Sequence, residues 1–241
     1  MRITVNEPFI QRRAKIARWS SLVGLGVLFL GLVISFNQEL FYWSLPALIV
    51  GFFLANISSF NANRYVKEPR PDQVLAKALR GFDRSYHLFS YTAPIPYVLL
   101  TPSRLYAILV KPQDGVIRRQ GNQWRRDFNV RRFFLFFGEE GLGNPPRDGE
   151  AEAGRLQRKL TEEFGEEAPP VHPLVVFSNP KVQLEMAEPS SGDKDAVPVL
   201  TGANLKKYIR GQAKGQAFSS ELRQRLDDFL GGTVSARDED E

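Results

Sequence analysis

The sequence predicts a mixed α/β domain that follows a hairpin of two transmembrane helices. Two long apolar stretches lie within residues 19–57. After residue 71, segments with helical spacing alternate with short β-rich runs, an order typical of a sheet flanked by helices. We expect five segments: a basic cytoplasmic N-terminus (1–18), a transmembrane helical hairpin (19–60), a linker (61–71), an α/β domain (72–210), and a C-terminal helix with an acidic tail (211–241).

The charge is divided unequally along the chain. The net charge is +5, but residues 1–60 carry five basic and two acidic residues, and the remainder carries 27 and 25. The high pI therefore does not indicate a general nucleic-acid binder. The chain has no cysteine, which excludes disulfides, thiolate nucleophiles and zinc–thiolate sites. A histidine metal site would need His87 and His172 together; the alternative is two ordinary histidines in a fold.

The two apolar stretches are residues 19–36 and 40–57, of 18 residues each. As helices they are about 27 Å long, close to the roughly 30 Å of a hydrocarbon core. Only residues 37–39 separate them, which predicts a tight turn. A signal peptide is the weaker interpretation because residues 37–39 offer no small-residue cleavage site. A buried soluble hairpin is also weaker because a domain of this size could hardly cover two fully apolar helices.

Basic residues flank the hairpin and its turn carries only Glu39. The positive-inside rule therefore predicts a two-span, multi-pass protein in the lipid bilayer, with both termini in the cytoplasm. These basic residues are Arg12, Arg13, Lys15 and Arg18 before the first span, and Arg64, Lys67 and Arg70 after the second.

Small residues at four-residue spacing occur in both spans. They permit close approach of helix backbones, either within the hairpin or between chains as a homo-oligomer. They are Gly31 and Ser35 in the first span, and Ala47, Gly51 and Ala55 in the second.

The soluble part is predicted to open with a helix at Pro71 or Asp72 whose apolar face extends to Phe82. A Gly/Pro-rich loop is expected at 139–149, before an amphipathic helix that Gly165 ends. Further helices are expected near 204–209 and from Ser219 or Ser220. Strands are expected at 86–91, 95–100, 105–110, 116–118, 174–177, 182–186 and 197–200, with a return strand from Trp124 and an aromatic core segment at 133–137.

The segment 95–111, with its Thr101-Pro102-Ser103 turn, and the segment 175–180 resemble the nuclease-related domain (NERD) family. The resemblance covers residues 72–209. It implies a restriction-endonuclease-like PD-(D/E)xK fold with an αβββαβ core. In that family an Asp at a strand end and a Glu two residues before a Lys hold a divalent metal. The metal polarises the phosphate and activates the attacking water, and the Lys helps to neutralise the charge of the transition state.

At these family positions the chain has Pro96, Leu109 and Lys111. Strand alternation places Leu109 and Lys111 on one face, so an aliphatic side chain replaces the metal ligand. The resemblance therefore implies a pseudoenzyme without a cofactor. The alternative is an active Mg²⁺-dependent DNA nuclease, which needs another carboxylate beside Lys111. The candidates are Asp72, Asp83 and Asp114. In the alternative interpretation they have no catalytic role: Asp72 begins a helix, and Asp83 and Asp114 lie in turns.

A set of arginines interleaved with Trp124 surrounds the predicted hairpin. Three interpretations remain open: contacts to nucleic-acid phosphates and bases, attraction to anionic lipid head groups, and protection of an exposed edge from aggregation. The arginines are Arg118, Arg119, Arg125, Arg126, Arg131 and Arg132. The sequence as a whole predicts a membrane-anchored cytoplasmic domain that binds nucleic acid or protein.

Overall fold

A computed structural model describes residues 1–121, 123–127, 141–186, 197–213 and 215–238. The chain divides into two compact units. A helical unit contains Glu7–Arg70. A sheet unit combines Met1–Asn6, Pro71–Asp127 and Leu142–Glu241. The polypeptide thus leaves the sheet unit after Asn6 and returns to it at Pro71.

The helical unit contains α1 (Glu7–Ser35) and α2 (Phe41–Asn61), the latter extended by a π-helical turn (Ala62–Val66). The two predicted N-terminal helices are confirmed, and α1 also includes the basic segment before Trp19. The connection is a turn in which the Glu39 amide donates to Oδ1 of Asn37 over 2.9 Å. Both helices are long and apolar enough to cross a membrane.

A seam of mostly small residues joins the two helices. Buried positions recur every seven residues in each helix, the repeat of a left-handed coiled coil. The Ser58 hydroxyl donates to the Ala17 carbonyl across the seam over 2.8 Å. A Cβ built on Gly51 would lie 2.5 Å from Cγ of Leu28. The seam positions are Ile10, Ala17, Gly24 and Gly31 on α1, and Ser44, Gly51 and Ser58 on α2. Of the predicted small residues, Gly31 and Gly51 therefore pack within the hairpin, and association between chains stays a prediction.

The sheet unit has a six-stranded sheet in the order β1-β2-β3-β4-β7-β9 and a three-stranded sheet in the order β6-β5-β8. The strands are β1 (Arg2–Val5), β2 (His87–Ser90), β3 (Tyr97–Leu100), β4 (Leu105–Lys111), β5 (Gly115–Gln120), β6 (Gln123–Arg126), β7 (Val171–Phe177), β8 (Val182–Met186) and β9 (Val199–Thr201). The helices are α3 (Pro71–Ala78), α4 (Pro145–Phe164), α5 (Gly202–Gly211) and α6 (Ser220–Asp238), with a short 3₁₀ turn at Gly165–Glu167.

The order α3-β2-β3-β4-α4-β7 confirms the predicted αβββαβ core. Strands β2, β3 and β4 form an antiparallel meander, and α4 then crosses over so that β7 pairs parallel to β4. Apolar side chains of α4 and α6 pack against one sheet face. They form a buried cluster with members such as Leu100 and Ala107 from the strands, Leu156 and Leu160 from α4, and Leu226 and Leu230 from α6.

Several predicted boundaries differ from the structure. Strand β1 was not predicted, and it pairs parallel to β2 with Arg2 opposite His87. The loop expected at 139–149 is wrong from Pro145 onward, because Asn144 caps α4 by accepting a hydrogen bond from the Arg147 amide. Helix α3 ends at Ala78, short of Phe82. The aromatic segment 133–137 lies outside the described residues.

Candidate functional site

Lys111 is the last residue of β4, and its side chain is only 8% exposed. Its Nζ atom lies 3.0 Å from Oδ2 of Asp148, a residue in the first turn of α4. The Asn144 cap fixes that turn: the Asp148 amide donates to the Asn144 carbonyl over 2.9 Å. An acidic side chain there is also favoured by the helix dipole. The ammonium group is thus buried against a carboxylate that is 42% exposed.

Gly143 leaves room for this ion pair. It has a φ of +60°, and a Cβ at that position would lie 3.1 Å from Oδ2 of Asp148. Glycine therefore suits this position, because it adopts a positive φ without strain and has no Cβ to crowd the Asp148 carboxylate.

The residues that the sequence analysis assigns to the two acid positions, Pro96 and Leu109, have no side-chain oxygen. Pro96 is half-buried directly before β3, where its carbonyl accepts the Tyr91 amide over 2.7 Å. Leu109 packs against the second apolar cluster of the domain. That cluster consists of Ile117, Val175, Phe177, Val182, Val197 and Val199. The side chain beside Lys111 on its own strand face is therefore part of an apolar core.

The carboxylates considered as substitutes have other contacts. Asp114 forms an ion pair with Arg126. Asp83 accepts the Ser85 amide over 2.7 Å in a turn. Asp72 is buried in the first turn of α3. Asp148 is instead the acid beside Lys111. The Asn144-Pro145-Pro146 sequence signals a helix start, and it could have placed Asp148 in a first helical turn.

A divalent metal does not fit the described residues around Lys111. Hard cations need several oxygen ligands, and Pro96 and Leu109 supply none. Asp148 is one carboxylate, and it neutralises the lysine. Across the described residues, no group of three Asp, Glu, His or Cys side chains is arranged to hold a metal ion.

Comparison with known families agrees with this topology. The family model of the nuclease-related domain matches residues 61–178. These residues are a nuclease-related domain. The match covers α3 to β7 and therefore includes both Lys111 and Asp148. No curated protein and no solved structure matches the chain.

Two of the predicted hairpin arginines form ion pairs with carboxylates of the sheet unit. Arg118 on β5 bridges Glu185, at 2.6 Å, and Asp127, at 3.0 Å. Arg126 on β6 donates through Nε to the Asp114 carbonyl over 2.9 Å in addition to its ion pair. The three carboxylates offset much of the positive charge predicted for this hairpin.

The other members of this set are placed differently. Arg119 donates to the Gly121 carbonyl over 3.1 Å. Arg125 is exposed, and within the described residues its side chain contacts only a neutral group, Oε1 of Gln123 at 3.2 Å. Trp124 packs against the second apolar cluster, which leaves less of its ring for stacking on a base. Arg131 and Arg132 lie outside the described residues.

The two histidines occupy different surroundings. His87 is on β2 and His172 is on β7, with β3 and β4 between them in the sheet. Three strand spacings separate their backbones by about 14 Å. His87 contacts Thr4 and Asp227, whereas His172 lies beside Tyr106. They do not form one site.

Proposed function

We propose that this protein is a membrane-anchored, catalytically degenerate nuclease-related protein whose domain binds nucleic acid or protein at the cytoplasmic membrane face. One observation carries the proposal. Where the family pattern would place a metal, the Lys111 ammonium group is neutralised by Asp148 at 3.0 Å, beside the aliphatic Leu109. The Lys111–Asp148 ion pair therefore occupies the place in which a metal ion held by carboxylates would activate water.

The exposed surface of the helical unit supports the anchor. Only 17% and 11% of the apolar windows of its two helices are buried. Large apolar side chains such as Leu25 and Phe29 are 67% and 65% exposed. Exposed apolar surface of this extent is costly in water and suits a bilayer. A core helix of a soluble protein would bury most of such a window.

The chain path supports an even number of spans. Strand β1 precedes α1, and α3 follows α2, yet β1 and α3 belong to the same sheet unit. A chain that entered the membrane once could not bring β1 and β2 into one sheet. Two spans return the polypeptide to the side on which it started, and the basic flanks favour the cytoplasm for that side.

A cleavage assay tests the degenerate site. Purified full-length protein is incubated with supercoiled and linear DNA in Mg²⁺ or Mn²⁺, alongside the Lys111→Ala variant. We expect no cleavage above the background that both preparations share. Metal-dependent cleavage that Lys111→Ala abolishes would overturn the proposal in favour of an active nuclease.

Cysteine labelling tests the anchor and its orientation, because the chain has no cysteine of its own. A Gln38→Cys variant carries its thiol in the helical turn, and a Ser219→Cys variant carries it in the sheet unit. We expect a membrane-impermeant maleimide to label the first variant in intact cells and the second only after lysis. The reverse pattern contradicts the orientation, and recovery in the alkaline-carbonate supernatant contradicts the anchor.

Binding is tested through Arg125, the hairpin arginine whose side chain hydrogen-bonds to the neutral Gln123. If the domain binds nucleic acid, DNA affinity should fall steeply with added salt and decrease further in Arg125→Gln. The matched control is Arg84→Gln, another exposed arginine of the domain. If the DNA affinity were equal in high and low salt, nucleic acid would be excluded as the ligand and protein binding would be the remaining function.

A further inference from the structure

Tyr106 has a buried hydroxyl group that makes no well-aligned hydrogen bond within the described part of the protein. The residue lies on β4 and is 2% exposed. The Arg104 guanidinium lies close to its hydroxyl oxygen but outside the geometry of a hydrogen bond. Tyr97 on β3 is buried to 1% exposure, but its hydroxyl bonds to that of Tyr91. A buried polar group without a well-formed hydrogen bond is destabilising, so a ligand that accepts from this hydroxyl would be stabilising.

Three further polar side chains surround Tyr106. His172 is directly opposite on β7, and the two rings lie 5.7 Å apart between centroids. Arg104 is two residues earlier in the chain, beside the start of the strand. Burial lowers the pKa of His172 and raises the pKa of Tyr208, and the charge of Arg104 acts on both groups, which places the guanidinium near each of them. Burial raises the pKa of Tyr106 to about 12, so its hydroxyl remains protonated.

This group contains a positive charge but no acid. No carboxylate among the described residues pairs with Arg104, although its side chain is only partly exposed. Arginine presents several N–H donors in a planar fork, and the tyrosine hydroxyls and the imidazole can each donate as well. A half-buried guanidinium surrounded by neutral donors suits an oxyanion, and a phosphate group accepts several such bonds at once.

We propose that Arg104, Tyr106, His172 and Tyr208 bind a phosphate group, with the Tyr106 hydroxyl donating from the buried side of the site. The proposal does not depend on the membrane anchor or on the degenerate nuclease site. Lys111 ends β4, whereas Arg104 directly precedes its first residue, and the residue spacing separates the two by about 20 Å.

The test measures thermal unfolding of the full-length protein in detergent during titration with inorganic phosphate, with sodium chloride matched for ionic strength. We expect a saturable rise in the unfolding midpoint, since a ligand of the native state stabilises it by mass action. Tyr106→Phe should weaken the apparent phosphate affinity roughly tenfold or more while the midpoint without phosphate stays equal or rises. Arg104→Gln should abolish the response.

Matched controls separate binding from damage to the fold. Tyr97→Phe removes a paired hydroxyl, so it should lower the midpoint without phosphate and retain the phosphate response. Arg84→Gln should change neither the midpoint without phosphate nor the response to phosphate. The proposal is overturned if phosphate has no saturable effect, if sodium chloride reproduces the effect, or if Tyr106→Phe responds like the unaltered protein.

The source of the phosphate is distinguished by a second pair of probes. An oligodeoxynucleotide with a 5′-phosphate and the same strand without it are titrated in parallel. A rise in the midpoint with the phosphorylated strand alone assigns the site to a terminal phosphate of nucleic acid. A rise with inorganic phosphate but with neither strand assigns it to a free anion.

Discussion

Nδ1 of His87 on β2 lies 2.9 Å from Oδ1 of Asp227 on α6. The other ring nitrogen, Nε2, lies 2.8 Å from the Thr4 hydroxyl on β1. A neutral imidazole satisfies both contacts, because Nδ1–H donates to the carboxylate and Nε2 accepts from the hydroxyl. One side chain thus connects the first strand, the second strand and the last helix of the sheet unit.

The neutral state of His87 predicts a loss of stability in acid. Burial lowers its pKa, against the opposing effect of Asp227, and the positive charges of Arg2 and Arg223 lower it further. The unfolded chain, with a histidine pKa of about 6.5, then binds a proton more readily than the native chain. The free energy of unfolding should therefore fall as the pH drops from about 6.5 through the lower native pKa.

Urea unfolding at pH 7.5 and 5.5 measures this fall, which should be smaller in His87→Gln. His172→Gln is the comparison, because the pKa of His172 is also lowered, mainly by burial and to a smaller extent by the charge of Arg104. A His87→Gln protein with the full pH dependence of the unaltered chain would contradict the assignment.

The Lys111–Asp148 pair should be detectable as a coupling energy. Asp148→Ala leaves the buried ammonium group without its partner, and we expect a cost of about 1–2 kcal/mol, below that of a fully buried pair because Asp148 is partly exposed. Adding Lys111→Met should recover part of this loss. Urea unfolding of the two single variants and the double variant completes the cycle.

The control for this cycle is Glu162→Ala, which removes an exposed partner of Lys159 on α4. It should change the free energy of unfolding by less than about 0.5 kcal/mol. Additive effects of Asp148→Ala and Lys111→Met would show that the two side chains do not interact.

The close approach at Gly51 predicts that the hairpin cannot accept a larger residue there. Gly51→Leu should cost roughly 1–3 kcal/mol, because the new side chain meets Leu28 across the seam. Gly26→Leu is the matched control, since no atom lies within 4 Å of a Cβ built at that exposed position. Thermal unfolding in detergent compares the two variants, and equal midpoints would contradict the packing.

The last helix should be essential to the nuclease-related domain although it lies outside the matched residues 61–178. Leu226 of α6 is fully buried against side chains of the central sheet and α4. Leu226→Ala should cost about 2–5 kcal/mol through lost burial and a residual cavity. Arg225→Ala, at an exposed neighbour, should cost far less by the same urea measurement. Similar costs for both would indicate that α6 does not stabilise the core.

Local patterns were enough to predict much of the fold. The meander from β2 to β4, the helix that Gly165 ends and the apolar hairpin each produce a recognisable pattern within a short segment. Strand β1 was missed because Arg2–Val5 is only four residues long and its partner begins at His87. No short-range pattern reveals a pairing over that separation.

The surroundings of Lys111 depend on contacts between residues that lie far apart in the sequence. The expectation that Pro96 and Leu109 stand at the acid positions of the family comes from the sequence and stays a prediction. The partner of Lys111 is not visible in the sequence, because Asp148 lies 37 residues later and was assigned to a loop. Neutralisation of Arg118 by Glu185 also depends on the pairing of β5 with β8, which only the folded chain provides.

The position of β1 has a consequence for biosynthesis. Its residues leave the ribosome before the helical hairpin does, but the strand against which they pair is made only after the whole hairpin has been translated. The six-stranded sheet therefore cannot close while the ribosome is still producing the apolar segments. Formation of the helical hairpin would then precede completion of the sheet, and a chain whose hairpin was delayed would expose an unpaired β2 edge to aggregation.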